Sequence, residues 1–118
     1  MGDDWMIQPV GSGSGCWAPA ADVYRTPQGW LVKFDLAGIN PSELELERSG
    51  RHLVIRGVRR DVMVHAGLQT YSLEISYNRF ERAVGLPCDI QSTSLSTEYR
   101  DGMLLVWLND TSGRSGEE

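Results

Sequence analysis

Through most of the chain, apolar and polar residues alternate with a period of two, the spacing that puts one face of a β-strand against a core. In "GWLVKFDLAG" (29–38), Trp30, Val32, Phe34 and Leu36 fall on one face, with Leu31, Lys33 and Asp35 on the other. "ELELERSG" (43–50) sets Leu44 and Leu46 against Glu43, Glu45 and Glu47. "HLVIRGV" (52–58) is β-branched and follows the turn signal Ser49-Gly50. "TYSLEISYNRFERAVGLP" (70–87) predicts one long strand through Leu73, Ile75 and Tyr77, with a shift near Asn78, and then Phe80, Ala83, Val84 and Leu86. "DVYR" (22–25), "TSLSTEYR" (93–100) and "MLLVWL" (103–108) complete the set, and Pro41-Ser42-Glu43 has room for a single helical turn. Seven or eight short strands separated by turns predict an all-β fold, an antiparallel β-sandwich.

Two stretches depart from simple alternation. "RRDVMVHAGLQTY" (59–71) is a long connection with its own apolar patch at Val62, Met63 and Val64, and loops of this length are usually functional or packed against something. "DGMLLVWLND" (101–110) carries six consecutive apolar residues. If Leu104, Val106 and Leu108 face the core, then Met103, Leu105 and Trp107 face outward beside Leu31 on a neighbouring strand. Such a patch covers about 200 Å² or more. Its expected role is to be capped, by Leu31 or by Trp5, Met6 and Ile7; the alternative is an assembly or client surface.

With 118 residues the chain suits one domain, and its 41% apolar and 23% charged content is ordinary for a globular protein. A net charge of −5 argues against a nucleic-acid partner, and the densest basic patch, "RGVRR" (56–60), fits a solvated strand end. Cys16 and Cys88 have neither CxxC spacing nor metal-ligating neighbours, so no disulfide framework or metal site is expected. "MGDDWMIQPV" lacks the basic start of a signal peptide, and no stretch approaches a membrane span, which together predict a cytoplasmic location. The segments outside the strands are polar: "GSGSG" (11–15) has linker composition, and "TSGRSGEE" (111–118) has nothing to pack.

The order of landmarks resembles the α-crystallin domain of small heat-shock proteins, the bacterial type in particular. "WAPAADVYRTPQGWLVKFDLAGINPSELELERSGRHLVIRG" contains the family's Trp-x-Pro, Asp-Val-Tyr, Asp-Leu-x-Gly and closing glycine, here Gly57. "YNRFERAVGLP" is similar to its Phe-x-Arg…Leu-Pro strand, and "TEYRDGMLLVWL" to its signature of a small residue (Thr97), an aromatic (Tyr99) and Asp-Gly-x-Leu (101–104). The resemblance implies an immunoglobulin-like sandwich with a long strand-exchange loop, a short arm over 1–16, an α-crystallin domain over 17–109 and a disordered tail over 110–118. It further implies a homodimer in which Val62, Met63 and Val64 cross to the partner and pair at Val23 and Tyr24, with Arg82 near the contact. A peptide or client groove would be lined by Leu44, Leu46, Leu95 and Thr97. The implied activity is that of an ATP-independent holdase for non-native proteins, with no cofactor.

Where the family usually has a long apolar arm, about sixteen residues precede Trp17, and its Ile-x-Ile tail has no counterpart in "NDTSGRSGEE" or in the spacing of Ile7 and Val10, so a dimer is expected and larger assembly is left open. One rival is a CS-type co-chaperone sandwich, which generally lacks the exchange loop and the Asp-Gly-x-Leu signature. An enzyme would need to be built on His52, His65 and Glu43, Glu45 and Glu47, but glutamates alternating with leucines describe a solvated sheet face and neither histidine sits in a catalytic motif. Four tryptophans alone suggest a carbohydrate-binding sandwich, and Trp17 and Trp30 already have structural explanations.

Overall fold

The computed structural model describes residues 16–61 and 66–111. Within them are the strands β1 (Ala21–Thr26), β2 (Gly29–Asp35), β3 (Glu45–Ser49), β4 (His52–Arg59), β5 (Asn78–Gly85), β6 (Thr93–Arg100) and β7 (Met103–Asp110). They form two antiparallel sheets, ordered β1-β2-β7-β6 and β3-β4-β5, which face each other as a sandwich. The expected single helical turn is a short 3₁₀ segment, Pro41–Glu43, capped by the Asn40 side chain, which accepts from the Ser42 amide.

The core is built from the alternating sets expected to face inward. Val32, Phe34 and Leu36 meet Leu104, Val106 and Leu108 from one sheet, and Leu53, Ile55, Phe80 and Val84 from the other. Turn chemistry agrees with the sheet geometry. Asp101 and Gly102 both take positive φ, 54° and 79°, the conformation of the two-residue hairpin turn that matches strand twist, and they place β6 and β7 in register.

The overfull strand β7 is explained by its position. It is an interior strand, with β2 on one side and β6 on the other. The register therefore surrounds Leu105 with Lys33 and Glu98 across the sheet and with Met103 and Trp107 along its own strand. Leu105 is only 7% exposed although it lies on the face away from the core, while Leu31, Met103 and Trp107 are half-buried. Trp5, Met6 and Ile7, the other proposed cover, lie outside the described residues.

One expected element is shorter than its pattern. The strand anticipated over 70–87 spans only Asn78–Gly85. Asn78 pairs with Arg59, the last residue of β4, and so β5 begins where its neighbour ends. Asn78 also has φ 73°, which breaks the extended path. Upstream of it, 68–77 carries an apolar-polar alternation with no adjoining strand among the described residues: Tyr71, Leu73 and Ile75 are 100%, 80% and 66% exposed.

The segment before β1 packs as an extra rung. Trp17 bridges to Phe80: its amide donates to the Arg79 carbonyl at 3.1 Å and its carbonyl accepts from the Glu81 amide at 2.9 Å. The Trp17 and Phe80 ring centroids lie 5.2 Å apart in a tilted arrangement. This covers part of the β5 edge.

Candidate functional site

Strands β3 and β6 are the edges of the two sheets on the same side of the sandwich, and the Arg48 guanidinium donates to the Thr93 carbonyl across the gap between them. Cross-strand partners share a face in an antiparallel sheet. Leu46 pairs with the buried Ile55, so Leu46, together with Leu44 and Arg48, faces inward. Leu95 pairs with Leu108, Thr97 with Val106 and Tyr99 with Leu104, so these three face inward from β6. All four residues of the anticipated groove thus face inward on the two edge strands that the Arg48–Thr93 bond connects.

Exposure along that seam is informative. Thr97 faces inward and yet is exposed, while Leu44, Leu46 and Leu95 are half-buried against the core. These edge strands therefore carry apolar side chains at three of the four positions and an open one at Thr97. Arg48 closes one end; at the other, the half-buried Tyr99 donates its hydroxyl to the Leu36 carbonyl at 2.8 Å. Sequence reasoning missed Arg48, because nothing in "ELELERSG" distinguishes an inward arginine from another solvated charge. The alternation that placed Leu44 and Leu46 inward was the available signal.

The opposite side of the sandwich has its own opening. Val23 pairs with the fully buried Val32 and so faces inward, yet it is exposed, as is Tyr24 on the outer face of the same edge strand. Arg82 also faces inward, opposite Ile55, and its Nη1 donates to the Pro19 carbonyl at 2.9 Å. It holds the segment leading into β1. Val62, Met63 and Val64, the anticipated crossing residues, and His65 lie outside the described residues.

The row of glutamates has a structural role. Glu47 and Glu81 flank Arg56 on the outer face of the three-stranded sheet at 2.9 and 3.3 Å, and Glu43 meets Arg60 at 3.1 Å. The hydrogen bond it donates to Glu47 holds the Arg56 guanidinium above its usual pKa, with a smaller contribution from Glu81. Among the described residues no group of three or more His, Cys, Asp or Glu side chains could hold a metal ion, and no helix is long and apolar enough to cross a membrane.

Residues 22–117 match the model of the Hsp20/alpha crystallin family. This defines the class: the chain belongs to that family. Among individual proteins it is 25% identical over 96 residues to spore protein SP21 of Stigmatella aurantiaca, covering 81% of this chain and 57% of that protein. It is 23% identical over 88 residues to small heat shock protein C2 of Rickettsia felis, covering 75% and 57%. A heat shock protein of Dictyostelium discoideum is 27% identical over 101 residues, covering 86% of this chain and 24% of that protein. The chain thus spans between a quarter and somewhat over half the length of these relatives. Among solved structures, hspA from Xanthomonas axonopodis superposes with a TM-score of 0.67 at 26% identity, covering 80% of this chain and 95% of that one. HSP18.5 from E. histolytica gives 0.64 at 26% identity, covering 82% and 91%.

Proposed function

We propose that this protein is an ATP-independent chaperone of the holdase type, which binds extended segments of non-native proteins in the slot between β3 and β6 and keeps them from aggregating. The observation that carries this reading is Thr97, which faces the core and remains exposed beside Leu44, Leu46 and Leu95. Edge strands on both sides of the slot offer backbone donors and acceptors to an added strand, and the leucines offer apolar sockets for alternate side chains. A holdase needs nothing more from thermodynamics than preference for the non-native state, which exposes such segments when the native state does not.

The same reading includes a homodimer by strand exchange. The donor in this reading is the segment at the end of the long connection and just after it: Tyr71, Leu73 and Ile75 alternate on an exposed stretch that has no partner strand among the described residues. The acceptor is the β1 edge at Val23 and Tyr24, positioned from behind through Pro19 by Arg82. Pairing the two removes an exposed edge and an exposed apolar stripe at once. Cytoplasmic work on stress-damaged proteins is the setting this reading implies.

The test is light scattering of a heat-labile or chemically reduced client, with and without the protein and with no ATP. Suppression of aggregation near equimolar ratio is expected. No suppression at that ratio overturns the holdase reading and favours an interaction module of the CS type.

A further inference from the structure

Arg59 is the last residue of β4, and its guanidinium is engaged by segments at the margin of the sandwich. Its Nε and Nη2 both donate to the Ser76 carbonyl, at 3.1 and 2.8 Å, and Nη1 donates to the Ala37 carbonyl at 3.1 Å. The guanidinium carbon lies 4.4 Å from the centroid of the Trp17 ring and 5.7 Å from that of Tyr77. One planar cation therefore grips the base of the exposed segment through Ser76 and Tyr77, and the chain leading to β1 through Trp17. Among the described residues, none from Leu68 to Ile75 makes a hydrogen bond, ion pair or ring contact with the sandwich. The direction in which that segment leaves the body is set at its base, by Arg59 and by the turn at Asn78.

We propose that Arg59 is the positioning residue for dimer assembly, aiming the arm at 68–77 toward the partner and fixing it relative to the β1 edge that receives the partner's arm. The proposal rests on the strand-exchange reading above. Donor and acceptor of one protomer have to be oriented together for reciprocal exchange to close in a two-fold dimer, and a single group that touches the base of the donor and the segment leading into the acceptor strand supplies that coupling. The chemistry calls for arginine. A guanidinium presents a planar fork to the carbonyls and a flat face to the rings, whereas an ammonium at the same place keeps the charge and loses the fork.

The experiment is sedimentation equilibrium of the full chain and three variants, each checked by thermal melting. The double variant Leu73→Asp, Ile75→Asp tests the exchange reading and is expected to be monomeric. Arg59→Lys is expected to weaken dimerisation about tenfold, the effect of losing part of a charge-assisted hydrogen-bond set. Arg48→Lys, which also loses a bond to a backbone carbonyl but at the far seam, is expected to lower the melting temperature comparably and leave dimerisation unchanged. A dimeric Arg59→Lys beside a monomeric double variant overturns the role of Arg59 alone. Equal weakening by Arg48→Lys and Arg59→Lys also overturns it, because the effect would then follow stability. A dimeric double variant removes the exchange reading and this role with it. If Arg59→Lys does not fold, Tyr77→Leu, which keeps the fork and removes the ring on the arm side, is expected to weaken dimerisation about threefold. Unchanged dimerisation in that variant overturns the proposal.

Discussion

The ring of Phe80 occupies the space a side chain on Gly57 would need: a Cβ built there stands 2.6 Å from Phe80 Cζ and 2.9 Å from Leu44 Cδ2. The two residues are cross-strand partners on β4 and β5. Gly57 therefore leaves room for the Phe80 ring and for the Leu44 side chain over β4. Gly57→Ala is expected to cost about 1–3 kcal/mol, the range for an overpacked core, measured by urea denaturation. A stability within error of the parent would show that Phe80 has room to move.

Gly29 meets a harder constraint. A Cβ there would lie 1.9 Å from the Leu108 carbonyl oxygen, a backbone atom in the neighbouring strand. The clash is relieved only by separating β2 from β7, both interior strands of the larger sheet. Gly29→Ala is expected to cost about 2–4 kcal/mol, toward the upper end for single substitutions, and to lower the thermal midpoint accordingly. An unchanged midpoint would refute the close approach.

Thr97 offers a way to block the slot without touching the core. Because it is exposed at the mouth, Thr97→Trp is expected to change stability by no more than about 0.5 kcal/mol. The same variant is expected to lose most of its suppression of client aggregation in light scattering. Full suppression by a stable Thr97→Trp protein would place client binding elsewhere.

Trp107 separates cover from contact. It is half-buried and stands directly across from Leu31, one position away on the same face from the buried Leu105. Trp107→Thr is expected to lower stability by about 1–2 kcal/mol through exposure of Leu105, with client suppression at a permissive temperature unchanged. Loss of suppression at full stability would make this face a client surface after all.

Mass in solution tests assembly directly. A dimer is expected by light scattering at micromolar concentration, and a dominant species above the tetramer would require a contact beyond strand exchange.

Much of this protein was legible in the order of its residues. The faces of "GWLVKFDLAG" and "HLVIRGV" follow from alternation alone, since a period of two leaves one solution for a strand with one buried side. The hairpin at Asp101-Gly102 follows from the few residues that tolerate positive φ. Leu44, Leu46, Leu95 and Thr97 followed from family resemblance, and alternation independently placed the leucines of β3 inward.

The segment "TYSLEIS" shows where this kind of reading stops. Its alternation is that of a strand, but alternation records only which residues share a face and says nothing of whether a neighbouring strand is there to bond with. In this chain β4 ends at Arg59, so β5 begins at its partner Asn78 and the pattern upstream of it is left exposed.

The sequence by itself determined the strand set, the turns and the inward faces, because these depend on neighbours one to four positions apart. Tertiary structure decided three other matters. It closed Leu105 in between β2 and β6, left the inward Thr97 open at the seam, and gathered Ala37, Ser76, Tyr77 and Trp17 around Arg59. Each depends on strands or segments distant in sequence arriving at one place, and a local pattern carries no distance information. That is why "RGVRR" suggested only a solvated strand end, when its fourth residue is the clamp that joins three separate segments to β4.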